Sequence, residues 1–141
     1  MKAIIKKLNK WANSNTYYPI DILRIALGVF LIIKGISFIK DSSHLEELLV
    51  GLDDFSVMVW MVHYVGMFHF VGGILLIFGL LTRVVLIIQL PVFVGAVLIN
   101  FFAIFHTQSF TEALIVLVLS LFFILYGSGK HSVDYDLKMQ A

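Results

Sequence analysis

The sequence predicts an all-α protein: a transmembrane four-helix bundle with an N-terminal interfacial amphipathic helix and a short helix in the outer loop. Of its 141 residues, 60% are apolar and only 13% are charged, which is about half the charged share usual in soluble domains. The apolar residues form four long runs, at 20–39, 57–81, 84–105 and 110–127. Because about 20 apolar residues cross the hydrocarbon core of a bilayer as a helix, each run is predicted to be one span of a single membrane domain, 1–141.

The distribution of charge predicts how the spans are oriented. Basic residues lie before the first span, between the second and third, and after the fourth: Lys2, Lys6, Lys7, Lys10, Arg83, Lys130 and Lys138. The first loop is instead mainly acidic. Since loops rich in lysine and arginine stay in the cytoplasm, we expect both termini there, with 128–141 as a cytoplasmic tail. The basic residues have no pattern typical of nucleic-acid binding.

Two short amphipathic helices are predicted outside the spans. Residues 1–16 should form the interfacial helix, because Ile4, Leu8 and Trp11 share one face and the four lysines the other. In the outer loop, Ser43 and Glu46 have capping-box spacing. We expect the helix that follows them to cover the outer end of the bundle.

The first two spans carry residues suited to structural roles. Asp21 and Arg24 are three residues apart near the cytoplasmic end, so they can form an ion pair, with the arginine snorkelling to the interface. Glycines seven residues apart fall on one helix face and allow close packing of the two spans. The predicted packing positions are Gly28, Gly35, Gly72, Gly73 and Gly79.

Polar residues from all four spans gather in the outer half of the predicted bundle. They are Lys34, His63, His69, Asn100, His106 and Glu112. Polar groups in a membrane are costly and usually face the bundle interior, so we predict an outward-side pocket for a lipid-soluble ligand. Pro91 should kink the third span and open space beside it. The rival interpretation is that several of these groups face lipid headgroups, and that Glu112 caps a helix with Ser109.

Cysteine chemistry and a local metal motif are both excluded by the sequence. The chain has no cysteine, so any redox chemistry would need a bound cofactor or a partner. His63 and His69 are six residues apart and do not share a helix face, and we predict no metal site. No nucleophile and base can be paired, so no catalytic residue is assigned.

Several of these residues together resemble a known family. Arg24, Gly28 and Lys34-Gly35 in the first span, Gly72-Gly73, Gly79 and Leu81-Thr82-Arg83 around the second, and the run GSGKHSVD at 127–134 are similar to the DoxX family. The resemblance implies a small four-helix protein of the bacterial cytoplasmic (inner) membrane, with a role linked to quinone-dependent oxidation. Family members often have an acidic residue at the position of His69 and a histidine at that of Lys34, so we expect a more positive site here.

Three functional hypotheses follow. The first, favoured by the resemblance, is a redox-linked subunit that binds a quinone or similar ligand, with His69, Lys34 and Asn100 as hydrogen-bond donors to its carbonyl oxygens. The second is a non-catalytic scaffold whose glycine faces receive the helices of a partner. The third, ranked last, is a haem or metal protein using residues among His44, His63, His69 and His106. A membrane or redox protein partner and a homo-oligomer both remain open, and whether the chain is an enzyme is left undecided.

Overall fold

A computed structural model of the chain describes residues 2–15, 17–40, 55–102 and 107–137. The helices in this part are α1 (Lys2–Ser14), α2 (Tyr18–Lys40), α3 (Phe55–Phe78), α4 (Thr82–Phe102), α5 (Thr107–Tyr126) and the short α6 (Val133–Asp136). These residues contain no strand. The all-α fold predicted from composition is therefore confirmed.

The four long helices after α1 correspond to the four predicted spans. By length and composition, α2, α4 and α5 can each cross a membrane, and α3 has 24 residues with an apolar stretch at His63–Phe78. Much of their outer surface is apolar and exposed, as at Ile33, Phe102 and Val118, which suits contact with lipid rather than water. The chain is a membrane protein. The short helix predicted in the outer loop lies outside the described residues.

Helices α2 and α3 pack as a close antiparallel pair, because glycines face each other along their contact. A Cβ atom added at Gly28 would lie 2.7 Å from the carbonyl oxygen of Gly73, and one added at Gly35 would lie 2.8 Å from that of Gly66. No side chain fits in these gaps, so the backbones of the two helices come close together at two positions along their length. The second pair consists of α4 and α5, and α4 also packs on α3.

The core lies between these two pairs. Its apolar centre includes Leu31, Leu76, Leu86 and Phe123, each at most 1% exposed. Helix α4 continues through Pro91 to Phe102 without ending, so the proline is accommodated within the span. The two ends of the bundle are called the tail end and the loop end. Helices α2 and α4 begin at the tail end, and α3 and α5 end there. The other terminus of each of these helices lies at the loop end.

Candidate functional site

Among the predicted ligand-binding residues that the structure describes, His69 is the most deeply buried. It lies on α3, is 6% exposed, and contacts two aromatic rings at near-perpendicular angles: the ring centroid of Phe93 is 5.6 Å away and that of Phe38 is 6.0 Å away. Its Nδ1 atom has no partner within hydrogen-bonding geometry among the described residues, although the backbone of Val65, one turn earlier, lies close enough to interact with the ring. Since a buried polar atom without a partner is costly, this nitrogen is available to a ligand or a water molecule.

Lys34 and Glu112 form an ion pair across the bundle. The ammonium of Lys34 on α2 lies 2.7 Å from a carboxylate oxygen of Glu112 on α5, and the two side chains are 40% and 32% exposed. Gln108 also donates to Glu112, at 3.3 Å, and the lysine ammonium lies 5.4 Å from the ring centroid of Phe30. The positive charge expected from Lys34 is therefore balanced by Glu112, a partner that sequence spacing did not identify.

The remaining predicted site residues are not gathered with His69 to the same degree. Asn100 is half-buried and donates to the carbonyl of Ala96 on its own helix, at 2.8 Å. The side chain of His63 is exposed, whereas that of His69 is buried. His106 and His44 lie outside the described residues.

Gln89 on α4 is a buried polar residue that was not among the predicted pocket residues of the outer half. It is 1% exposed, and its amide nitrogen donates to the carbonyl of Phe68, the residue before His69, at 2.5 Å. A side chain at Gly72 would occupy the position of this amide, so the glycine is needed for Gln89 to reach α3. The Oε1 atom of Gln89 has no partner among the described residues. A glutamine opposite a glycine pair in an otherwise apolar span was the available sequence signal.

Together these residues give the bundle interior a small number of polar atoms in apolar and aromatic surroundings. His69 offers a ring nitrogen and Gln89 an amide oxygen, while Phe38 and Phe93 provide flat apolar surfaces. Ligand sites of membrane-soluble molecules have this composition: mostly apolar walls with a few groups that fix orientation. The arrangement is chemically suited to hydrogen bonding with a flat carbonyl compound or its reduced hydroxyl form.

At the tail end, Arg24 is turned into the protein. Its guanidinium group donates to the carbonyls of Ser128, at 2.6 Å, and His131, at 3.0 Å, and the residue is only 2% exposed. Asp21 is 3.9 Å from it and is closer to His131, at 2.7 Å. The predicted pair is thus present as a long contact, but snorkelling is wrong because the arginine holds the chain that follows α5.

Asp134 and Arg83 join the ends of three helices at the same level. The carboxylate of Asp134 accepts from the backbone N–H groups of Leu81, at 2.8 Å, and Thr82, at 3.4 Å, and so caps the start of α4. Arg83 donates to the last carbonyls of α5, at Ile124 (3.0 Å) and Leu125 (3.2 Å). Helix ends leave such groups without partners inside the helix, and here side chains from elsewhere in the chain supply them. We call Arg24, Arg83 and Asp134 the clasp.

The clasp explains the most specific part of the sequence pattern. Gly79 has φ +67°, and a side chain there would overlap the guanidinium of Arg24. Gly127 and Gly129 also have positive φ, so the chain can turn back beneath the bundle after α5. Arg83 binds the last carbonyls of α5, whereas Lys130 in the following run is exposed. The two motifs, GLLTR and GSGKHSVD, form one structural unit.

Within the described residues, no three histidine, aspartate or glutamate side chains come together in a way that could hold a metal ion. His69 is buried among aromatic rings, and His131 is paired with Asp21 at the tail end. The described histidines therefore contribute singly, each to a different environment.

Comparison with known proteins identifies one family. The family model described as DoxX matches residues 20–106, which is more than half of the chain. The match covers α2, α3 and α4 and ends before the 127–134 run. No curated protein and no solved structure matches the chain.

Proposed function

The chain belongs to the DoxX family of membrane proteins, and from that premise we propose that it binds a quinone or a similar lipid-soluble carbonyl ligand beside His69, as part of a redox-linked membrane system. The observation that carries the proposal is the buried imidazole of His69, whose Nδ1 atom lacks a partner while two aromatic rings flank it. A ring nitrogen can donate to a carbonyl oxygen or accept from a hydroxyl, depending on its tautomer. This reciprocity suits both redox forms of a quinone.

The apolar surroundings support the same class of ligand. A flat ring would be favoured between Phe38 and Phe93, because aromatic pairs add about 0.5–1.5 kcal/mol beyond their buried area. The amide of Gln89 donates to the carbonyl of Phe68, the residue before His69, and its Oε1 atom would accept a hydrogen bond from a hydroxyl group of the reduced ligand. The chain has no cysteine to hold an iron–sulfur cluster, and in this proposal electrons pass between the ligand and a partner protein.

Lys34 and Glu112 have a separate part in the proposal. Their ion pair joins α2 to α5, two helices that otherwise touch little. It neutralises the charge that a lone lysine would bring, so a neutral quinone is favoured over an anion. We propose that the pair forms the boundary of the ligand site between α2 and α5, toward the loop end of the bundle.

The scaffold hypothesis has less support from the packing. Gly28, Gly35, Gly66 and Gly73 are used between α2 and α3 inside the chain, so these faces are not open to the helices of a partner. Gly95 differs, since a Cβ atom there would meet nothing within 4 Å. One glycine with open space around it is a weak basis for a partner interface.

A binding experiment with a matched histidine control tests the proposal. Purified protein is titrated with a short-chain quinone analogue, and His69→Ala is compared with His63→Ala. Loss of one neutral hydrogen bond, about 0.5–1.5 kcal/mol, should weaken binding by His69→Ala roughly twofold to twelvefold. His63, which is exposed on the same helix, should be replaceable without this loss. Equal affinity in wild type and His69→Ala, with the bundle still folded, would remove the proposal.

A further inference from the structure

Helix α1 is attached to the bundle through its last turn. Ala12 is 1% exposed and lies against the end of α5. The single hydroxyl proton of Tyr126 is directed to the carbonyls of Asn15, at 3.2 Å, and Ala12, at 3.4 Å. The ring of Trp11 meets that of Tyr126 edge to face, with the ring centroids 5.9 Å apart. Tyr126 is itself 2% exposed. A buried tyrosine therefore holds the C-terminal end of α1 at the tail end of the bundle.

The rest of α1 extends beyond this contact with an apolar and a basic surface. Ile4 is 65% exposed and Trp11 is 51% exposed. Lys6, Lys7 and Lys10 are exposed, and none of them forms an ion pair in the part of the chain that the structure describes. A helix of 13 residues is near the length at which isolated helices are marginal in water. The two faces of α1 are thus suited to a boundary where an apolar phase meets negatively charged groups.

The cationic residues at the tail end divide into two groups. Arg24 and Arg83 are buried and bound to backbone carbonyls, so their guanidinium groups are not available to an external anion. The lysines of α1 are exposed. Tyr17 and Tyr18 are also exposed between α1 and the body of α2, as aromatic residues commonly are at a membrane interface. The exposed lysines of α1 and these two tyrosines therefore lie together at the tail end of the bundle.

We propose that α1 is a binding surface for the headgroups of anionic phospholipids, and that Tyr126 links this surface to the tail end of the bundle. Lysines near an anionic surface each contribute about 1 kcal/mol, which corresponds to roughly fivefold in the docking equilibrium per lysine. Ile4 and Trp11 enter the acyl boundary on the opposite face. This inference does not depend on the quinone proposal.

The chain offers a local probe for the test. It contains two tryptophans, so Trp60→Phe leaves Trp11 as the only one in the full-length protein. The variant is reconstituted in nanodiscs of phosphatidylcholine, with or without phosphatidylglycerol, and quenching of Trp11 by aqueous acrylamide is measured. We expect clearly weaker quenching in the anionic discs, and loss of this difference in about 1 M salt, where the Debye length is about 3 Å. Equal quenching in both discs at low salt overturns the proposal.

Charge variants then assign the effect to α1. Lys6→Gln, Lys7→Gln and Lys10→Gln together should return the quenching in anionic discs to its value in phosphatidylcholine, because on the order of a hundredfold is lost from the docking equilibrium. Lys130→Gln removes an exposed charge outside α1 at the same end and should keep the full difference. A response that survives the triple change, or that disappears with Lys130→Gln alone, overturns the assignment.

The link through Tyr126 has its own readout. Thermal unfolding of the bundle is measured in the same two discs for the wild type and for Tyr126→Phe, which retains the ring but lacks the hydroxyl that donates to α1. Anionic lipid should raise the melting temperature of the wild type more than that of Tyr126→Phe, while Trp11 stays protected in both. An equal rise in the two proteins overturns the link.

Discussion

Replacing Asp134 by alanine is the sharpest test of how the tail end holds the bundle together. Asp134 is 4% exposed and belongs to the segment after α5, yet its carboxylate binds the turn between α3 and α4. Its own N–H also donates to the carbonyl of Gly79, at 3.2 Å. The substitution removes the carboxylate and leaves the backbone contact in place.

The expected loss follows from the two bonds. A hydrogen bond to a charged group contributes about 1.5–3 kcal/mol net, and the 2.8 Å bond to Leu81 has the geometry for it. The 3.4 Å contact to Thr82 is long and adds little. Leu81 also has φ +50°, a conformation that costs about 1–3 kcal/mol outside glycine and is held by this bond. We therefore expect Asp134→Ala to lower the free energy of unfolding by about 2–3 kcal/mol.

Unfolding of the purified protein in mixed micelles, titrated with a denaturing detergent, measures this loss. Asp136→Ala is the matched control, because Asp136 is in the same short helix but exposed, and a surface substitution usually changes stability by less than about 0.5 kcal/mol. Asp134→Asn should fall between the two, since it keeps one acceptor oxygen. A loss below about 0.5 kcal/mol for Asp134→Ala, or an equal loss in the Asp136 control, would refute the capping role.

Three further substitutions test other contacts. Gly28→Ala should destabilise the bundle by about 1–3 kcal/mol because its new methyl group meets backbone atoms of α3, whereas Gly95→Ala should be neutral or stabilising; similar losses at both sites would contradict the glycine packing. A double-mutant cycle of Lys34→Met and Glu112→Gln should give a coupling of about 0.2–1 kcal/mol, as for a partly exposed pair, and strictly additive effects would mean that the ion pair is absent. Arg83→Lys should lower the midpoint of detergent unfolding, because an ammonium cannot donate to several carbonyls in the fixed fork of a guanidinium; an unchanged midpoint would argue against capping of α5.

The helices and the membrane class could be predicted from the sequence because both depend on local composition. A run of about 20 apolar residues can satisfy its backbone in lipid only as a helix. The ends of α2 and α5 were accordingly predicted within a few residues. The seven-residue spacing of Gly28 and Gly35 places both on the face of α2 that packs on α3, where they meet Gly73 and Gly66. Gly72 and Gly79 have the same spacing, but they face the side chains of Gln89 and Arg24 instead.

The contacts between distant segments could not be predicted in the same way. Asp134 and Leu81 are far apart in the chain, and no periodicity in the sequence indicates that the carboxylate of Asp134 caps the start of α4. Arg24 has an acidic residue three positions away, so the local pair was the natural interpretation, although its strongest contacts are backbone carbonyls of the tail. Lys34 likewise pairs with Glu112; the sequence placed both in the predicted pocket, but it did not indicate that they bind each other.

The candidate ligand site was predicted in part. Depth along the helices identified His69 as an interior residue, and the structure agrees with its burial. Depth in the membrane does not determine toward which side of the helix a residue points. Exposed His63 and buried His69 differ in their angular position on α3, and the structure identifies which position faces the core. Gln89 was overlooked because it lies below the outer half, although its amide reaches the residue next to His69.

The central claim is that a lipid-soluble carbonyl ligand binds beside His69, and locating such a ligand in the protein tests it most directly. A structure determined with a brominated quinone analogue would reveal the heavy atom by its anomalous scattering. We predict a peak between Phe38 and Phe93, with a ligand oxygen within hydrogen-bonding distance of the imidazole of His69. Bromine found only on the lipid-facing surface of the helices, at saturating ligand, would contradict the claim.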